Sequence, residues 1–148
     1  MWQAVFKGAA HCGAGCALGD FAAEWIALGL GLVLLGSSLA ARLALSFILA
    51  YAAGIAFQYF AIAPMRGLGL KDGLIAAAKA DFISLTAFEI GLFGWMAIMG
   101  FALFPAPHQL MPNSAAYWLL MQGGMIIGFI TSWPANVWLV NRGIKVLM

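Results

Sequence analysis

The residues best suited to chemistry are four carboxylates inside segments that are otherwise apolar enough to cross a membrane. They are Asp20, Glu24, Asp81 and Glu89. An ionisable side chain at bilayer depth is costly, so it usually faces a bundle interior or a water-filled cavity and has a function there. The sequence therefore places the candidate site at these acids.

The first segment also contains the run HCGAGCALGD, which brings two thiols and an imidazole within about two helical turns of Asp20. Cys12 and Cys16, at positions i and i+4, project from one helix face and suit two thiolates on one ion, with His11 at the flank. Soft thiolates favour Cu(I) or Zn(II). The predicted metal ligands are His11, Cys12, Cys16, Asp20, Glu24, Asp81 and Glu89, supported by the polar residues Ser84, Thr131 and Asn136.

Methionines offer a second, weaker indication of a soft metal. Met96 and Met99 lie in the outer half of the third segment, and Met121 and Met125 in the outer half of the fourth. Their thioethers can form the outer part of a Cu(I) path toward the acids. The alternative is simple packing, since methionine commonly fills gaps in apolar bundles.

Three functions remain open. The first is binding and translocation of Cu or Zn, and the second is a proton or cation relay through the buried carboxylates. The third is a structural membrane subunit in which the acids are hydrogen-bonded or paired with Arg42 or Lys79. An enzyme is not expected, because no nucleophile elbow, phosphate-binding loop or dinucleotide fingerprint occurs in the strand context that it requires.

Composition assigns the chain to the membrane proteins. Of its 148 residues 65% are hydrophobic and 8% charged, with a mean hydropathy of +1.00, whereas a soluble domain has about 25% charged residues. A net charge of +2 without a basic cluster excludes a nucleic-acid partner. The lipid bilayer is the expected partner.

Apolar segment lengths predict one domain, 1–148, with four transmembrane helices in an antiparallel bundle. The expected helices are about 8–35, 39–63, 72–104 and 115–140, and Asp72 is the expected N-cap of the third. Basic residues then gather on one side, which predicts that both termini are cytoplasmic. Those on that side are Lys7, Arg66, Lys71, Lys79, Arg142 and Lys145, with Arg42 alone near the other.

Small residues share a helix face with the polar ones. Gly15 and Gly19 form a G-x-x-x-G spacing that lets another helix backbone approach closely. The polar faces of the first and third segments are expected to meet. Such faces on a small bundle also favour a homodimer.

The chain resembles a known protein family over most of its length, and three sequence runs carry this resemblance: HCGAGCALGD, AKADFISLTAFEIG and WPANVWLVNRG. Together they resemble a bacterial membrane-protein family described only as a domain of unknown function. The resemblance implies a four-helix module in the cytoplasmic (inner) membrane of a bacterium, without an assigned reaction. The residues that match its pattern are His11, Cys12, Gly15, Cys16, Asp20, Asp81, Glu89, Pro134 and Asn136.

Overall fold

The computed structural model describes residues 2–67 and 69–145, and this part of the chain contains four long α-helices and no strand. The helices are α1 (Trp2–Leu30), α2 (Ser38–Arg66), α3 (Leu70–Ile98) and α4 (Ala115–Asn141). A π-helical turn, Met99–Leu103, continues α3. The expectation of an all-helical protein with four helices is confirmed for the described residues.

Local sequence explains where the helices begin and end. α1 stops at Leu30 because Gly31 adopts a φ of 60°, and the turn that follows contains Gly36 at a φ of 76°. The Ser37 hydroxyl accepts a hydrogen bond from Ala40 N at 3.2 Å at the start of α2. The Ser114 hydroxyl caps α4 by accepting a hydrogen bond from Tyr117 N at 3.4 Å. Serine is a preferred N-cap residue because its side-chain oxygen can accept such a bond.

The start of α3 differs from the sequence expectation. Its N-cap is Gly69, which has no side chain to form a capping hydrogen bond, and Asp72 lies within the first turn. The prediction of Asp72 as the N-cap was therefore wrong. Aspartate is favoured in the first turn as well as at the N-cap, because its negative charge interacts favourably with the positive end of the helix dipole. The residue type alone therefore does not distinguish the two positions.

The four helices form an antiparallel bundle. Near its first residues α1 packs against the second half of α4, where the Phe6 ring lies 5.5 Å from that of Phe129. Near its last residues α1 packs against the start of α4, where the rings of Trp25 and Trp118 are stacked at 6.3 Å. We call the end with the N-terminus the terminal end, and the end with the α1–α2 and α3–α4 connections the loop end.

Three helices are long and apolar enough to cross a membrane: α2 over Ser38–Phe60, α3 with its π-helical turn over Leu70–Leu103, and α4. α1 has the same length as α2 but does not meet this criterion, and Asp20 and Glu24 lower its hydropathy. Large apolar side chains such as Phe60, Ile90 and Leu119 are more than 60% exposed on the outside of the bundle. An apolar exterior around buried polar groups suits lipid rather than water.

Candidate functional site

Buried polar side chains follow one another along the inside of the bundle. α1 contributes four of them at intervals of four residues, Cys12, Cys16, Asp20 and Glu24, all less than 4% exposed. This spacing puts them on one helix face over about 18 Å of rise. We call twelve of the buried polar side chains the polar column. From the terminal end to the loop end it contains Lys145, Asp81, Asn136, Ser84, Cys12, Cys16, Glu89, Asp20, Ser46, Glu24, Arg42 and Tyr117.

At the terminal end the column is held together by hydrogen bonds around Lys145. Its Nζ lies 3.2 Å from Asp81 Oδ1, 2.8 Å from Asn136 Oδ1 and 3.4 Å from Ser84 Oγ. Ser84 Oγ also donates to Asn136 Oδ1 at 3.1 Å and shares a contact of 3.7 Å with Cys12 Sγ. An ion pair here is surrounded by the polar partners that a buried charge requires.

In the middle of the column, two buried acids lack hydrogen-bond partners. Neither carboxylate oxygen of Asp20 or of Glu89 has a hydrogen-bond partner, and no cation of the described chain pairs with either acid. Glu89 of α3 lies near Asp20 and Cys12 of α1, and Cys16 lies one helical turn from each of these two residues. Buried polar groups without partners are rare in folded proteins and need an explanation.

At the loop end a second ion pair closes the column. Arg42 Nη1 lies 3.4 Å from Glu24 Oε2, and the guanidinium lies over the Tyr117 ring at 5.5 Å from its centroid. Arg42 and Tyr117 line a cavity of about 10 Å³, close to the space that one water needs. Arg42 also lines a pocket of about 240 Å³ with Ser38 and Met111. The column therefore adjoins open space at this end.

The residues predicted as metal ligands are spread along the column rather than gathered. His11 lies outside it, with Nε2 3.1 Å from the carbonyl oxygen of Phe57. Within residues 2–67 and 69–145, no three His, Cys, Asp or Glu side chains are arranged so that they could hold a metal ion. The structure brings Cys12, Cys16 and Glu89 near one another but does not join the seven predicted ligands into one set.

The supporting residues separate in the same way. Ser84 and Asn136 belong to the polar column, whereas the Thr131 hydroxyl donates to Ala87 O at 2.7 Å and joins α4 to α3. The predicted outer path is divided between two places. Met96 and Met99 line the small cavity beside Arg42, and Met121 and Met125 line a groove of about 650 Å³ between α1 and α4.

The structure also identifies residues that sequence reasoning missed. Asp81 pairs with Lys145 and not with Lys79, which is exposed, whereas Glu24 does pair with Arg42. Ser46 and Tyr117 complete the column next to Asp20 and Glu24. Polar types inside apolar segments were an available signal for these two. Lys145 offered none, because it resembles the other basic residues near a membrane surface.

Comparison with known proteins gives one result. The chain belongs to the family described as Domain of unknown function (DUF4396), which it matches over residues 1–145. No curated protein and no solved structure matches it. The expected membership of a family without an assigned reaction is thereby confirmed.

Proposed function

Since the chain belongs to a family to which no reaction is assigned, we propose from its geometry that it is a membrane protein that transfers protons along the polar column. The single observation that carries this proposal is the unpartnered pair of acids, Asp20 and Glu89, in the middle of the bundle. An isolated carboxylate at bilayer depth is costly, and a bound proton removes that cost.

Counting charges supports the same conclusion. The column contains four acids, Asp20, Glu24, Asp81 and Glu89, and two bases, Arg42 and Lys145. The two bases compensate their own partners, Glu24 and Asp81. The column as a whole is neutral when the two middle acids each carry a proton. These acids are thus the sites where protons are held.

Neighbouring groups provide steps between the acids and the two ends. Toward the terminal end, the hydroxyl of Ser84 lies between Cys12 and Lys145. Toward the loop end, Asp20 lies beside Ser46 and Glu24, and Glu24 lies beside Tyr117. Hydroxyl groups both donate and accept hydrogen bonds, which suits them to passing a proton. Water in the space around Arg42 would connect the loop end to solvent.

In this proposal α1 is the fourth membrane span, because it carries four of the twelve residues of the column and packs along α2 and α4. The basic residues at the terminal end then place both chain termini in the cytoplasm. The protein is an integral protein of the cytoplasmic membrane of a bacterium, and we propose that it is a homodimer.

Proton flux into lipid vesicles tests the proposal. Purified protein is reconstituted around a pH-sensitive dye, and proton entry is driven by a K⁺ gradient with valinomycin. We expect flux above that of protein-free vesicles, and its loss in Asp20→Asn. Asp72→Asn is the matched control because Asp72 is exposed, outside the column; its flux should equal that of the wild type. Equal flux in Asp20→Asn and the wild type would exclude Asp20 from the path.

Soft-metal binding stays a prediction that rests on the two adjacent thiols, Cys12 and Cys16. Elemental analysis of purified protein after anaerobic Cu(I) or Zn(II) loading tests it. Stoichiometric metal that is lost in Cys12→Ser/Cys16→Ser would support it, and absence of metal in the wild type would exclude it.

A further inference from the structure

Lys145 reaches the polar column from outside the helices. α4 ends at Asn141, and Gly143, with a φ of 67°, reverses the chain. The backbone amides of Ile144 and Lys145 then both donate to Leu139 O, at 3.0 and 3.2 Å. This short cap directs the Lys145 side chain back into the bundle, where the residue is 3% exposed.

The ammonium group of Lys145 is surrounded by oxygen atoms in the way that a bound cation is. A lysine ammonium has three donors and no acceptor, and three oxygens lie within 3.4 Å of Nζ, on Asp81, Ser84 and Asn136. These oxygens come from two helices, α3 and α4, and do not depend on the segment that carries Lys145. The second oxygen of Asp81 is buried and has no hydrogen-bond partner.

We propose that Asp81, Ser84 and Asn136 form a binding site for a monovalent cation of ammonium size, ammonium itself or K⁺, which Lys145 fills as a tethered ammonium group. The cation and the lysine then compete for one site. This inference deepens the proposed function by adding a competing cation to the polar column. Its test is a binding measurement, so it can fail while proton flux is observed, and the reverse.

The position of Lys145 beyond α4 permits the exchange. Withdrawing its side chain breaks the three contacts of Nζ. In the backbone only the two amide hydrogen bonds to Leu139 O need to open, while the helical hydrogen bonds of α4 up to Asn141 remain. Without the lysine the Asp81 carboxylate would be a buried charge with no compensating cation, which is strongly destabilising. A bound cation replaces the missing positive charge, so the stability of the folded protein should increase when the site is occupied.

Chemical rescue of Lys145→Ala tests the site. The thermal unfolding temperature of the purified variant in detergent is measured against increasing ammonium chloride, potassium chloride or choline chloride. We expect a lower unfolding temperature than for the wild type, and a saturable recovery with ammonium or K⁺ because a ligand that binds only the folded state stabilises it. Choline, which is too large for the site, should give no recovery.

Two variants provide the controls. Lys79→Ala removes an exposed lysine and should show no cation-specific recovery, which separates binding from a general salt effect. Lys145→Ala/Asp81→Asn should lose the recovery, because the charged ligand is gone. Recovery that is equal for ammonium and choline, or that survives Asp81→Asn, would overturn the proposal.

Hydrogen exchange in the wild type provides a second measurement if Lys145→Ala does not fold. Ammonium should displace the lysine side chain and loosen its cap, so exchange at the amides of Ile144 and Lys145 should accelerate relative to choline. Exchange that is the same in both salts would contradict competition for the site.

Discussion

Glu24 and Arg42 show at the scale of single residues why the two ends of the column differ from its middle. Their contact of 3.4 Å is buried, and Glu24 Oε1 and Arg42 Nε have no hydrogen-bond partner. Removing one member of a buried pair leaves an uncompensated charge, whereas removing both is far less costly. Asp20 and Glu89 have no such partner to lose.

A double-mutant cycle measures this coupling. We expect Arg42→Gln to lower the free energy of unfolding by about 3–5 kcal/mol, the usual cost of a buried charge left alone. Glu24→Gln/Arg42→Gln should recover much of that loss. Chemical unfolding of the four proteins in detergent gives the coupling free energy. If the two single effects simply add, the pair contributes nothing as a pair.

Residue types predicted much of the column and Arg42 as a partner of its acids, but not the partner of Asp81. Asp20, Glu24, Asp81 and Glu89 stand out in any apolar segment, because ionisable groups there are rarely incidental. The partner of Asp81 could not be predicted. Lys145 follows it by 64 positions along the chain, and only the reversal at Gly143 returns the lysine to the bundle.

Glycines determine how closely the helices approach at the scale of elements. A Cβ on Gly19 would lie 2.5 Å from backbone atoms of Leu49 and Ala50, so α1 and α2 touch through their main chains. A Cβ on Gly128 would lie 2.8 Å from Phe88 O, which joins α4 to α3 in the same way. These contacts form two helical hairpins, whose polar faces meet in the column.

Substituting Gly19 therefore tests the packing of α1 against α2. We expect Gly19→Ala to lower the free energy of unfolding by about 1–3 kcal/mol, because backbone atoms cannot move away as a side chain would. Gly29→Ala is the control, since nothing lies within 4 Å of its added Cβ. That variant should be neutral or more stable by about 0.5–1 kcal/mol, as alanine favours helix. Equal effects at both positions would contradict the close approach.

The elements were largely predictable, and their neighbours were not. Apolar segment length gave four helices, because a bilayer-spanning helix needs a long apolar run. The G-x-x-x-G spacing at Gly15 and Gly19 indicated a close helix contact, but small residues do not specify which helix approaches. The contact with α2 is a property of the whole bundle.

Orientation in the membrane is a property of the whole molecule. Basic residues gather at the terminal end, so we expect that end to face the cytoplasm. In intact bacterial cells, a membrane-impermeant maleimide should label Asn113→Cys, which is exposed at the loop end. It should label Lys71→Cys, exposed at the terminal end, only after the membrane is opened. The wild type is the control, because Cys12 and Cys16 are buried. The reverse labelling pattern would invert the proposed orientation.

Proton flux through reconstituted vesicles tests most directly whether the middle acids transfer protons across the bundle. Wild-type protein, Asp20→Asn/Glu89→Gln and protein-free vesicles are compared under the same imposed membrane potential. If protons pass along the polar column, we expect flux in the wild type and no flux above the protein-free rate in the double variant. Wild-type flux no greater than that of protein-free vesicles, or flux retained in a folded double variant, would contradict it.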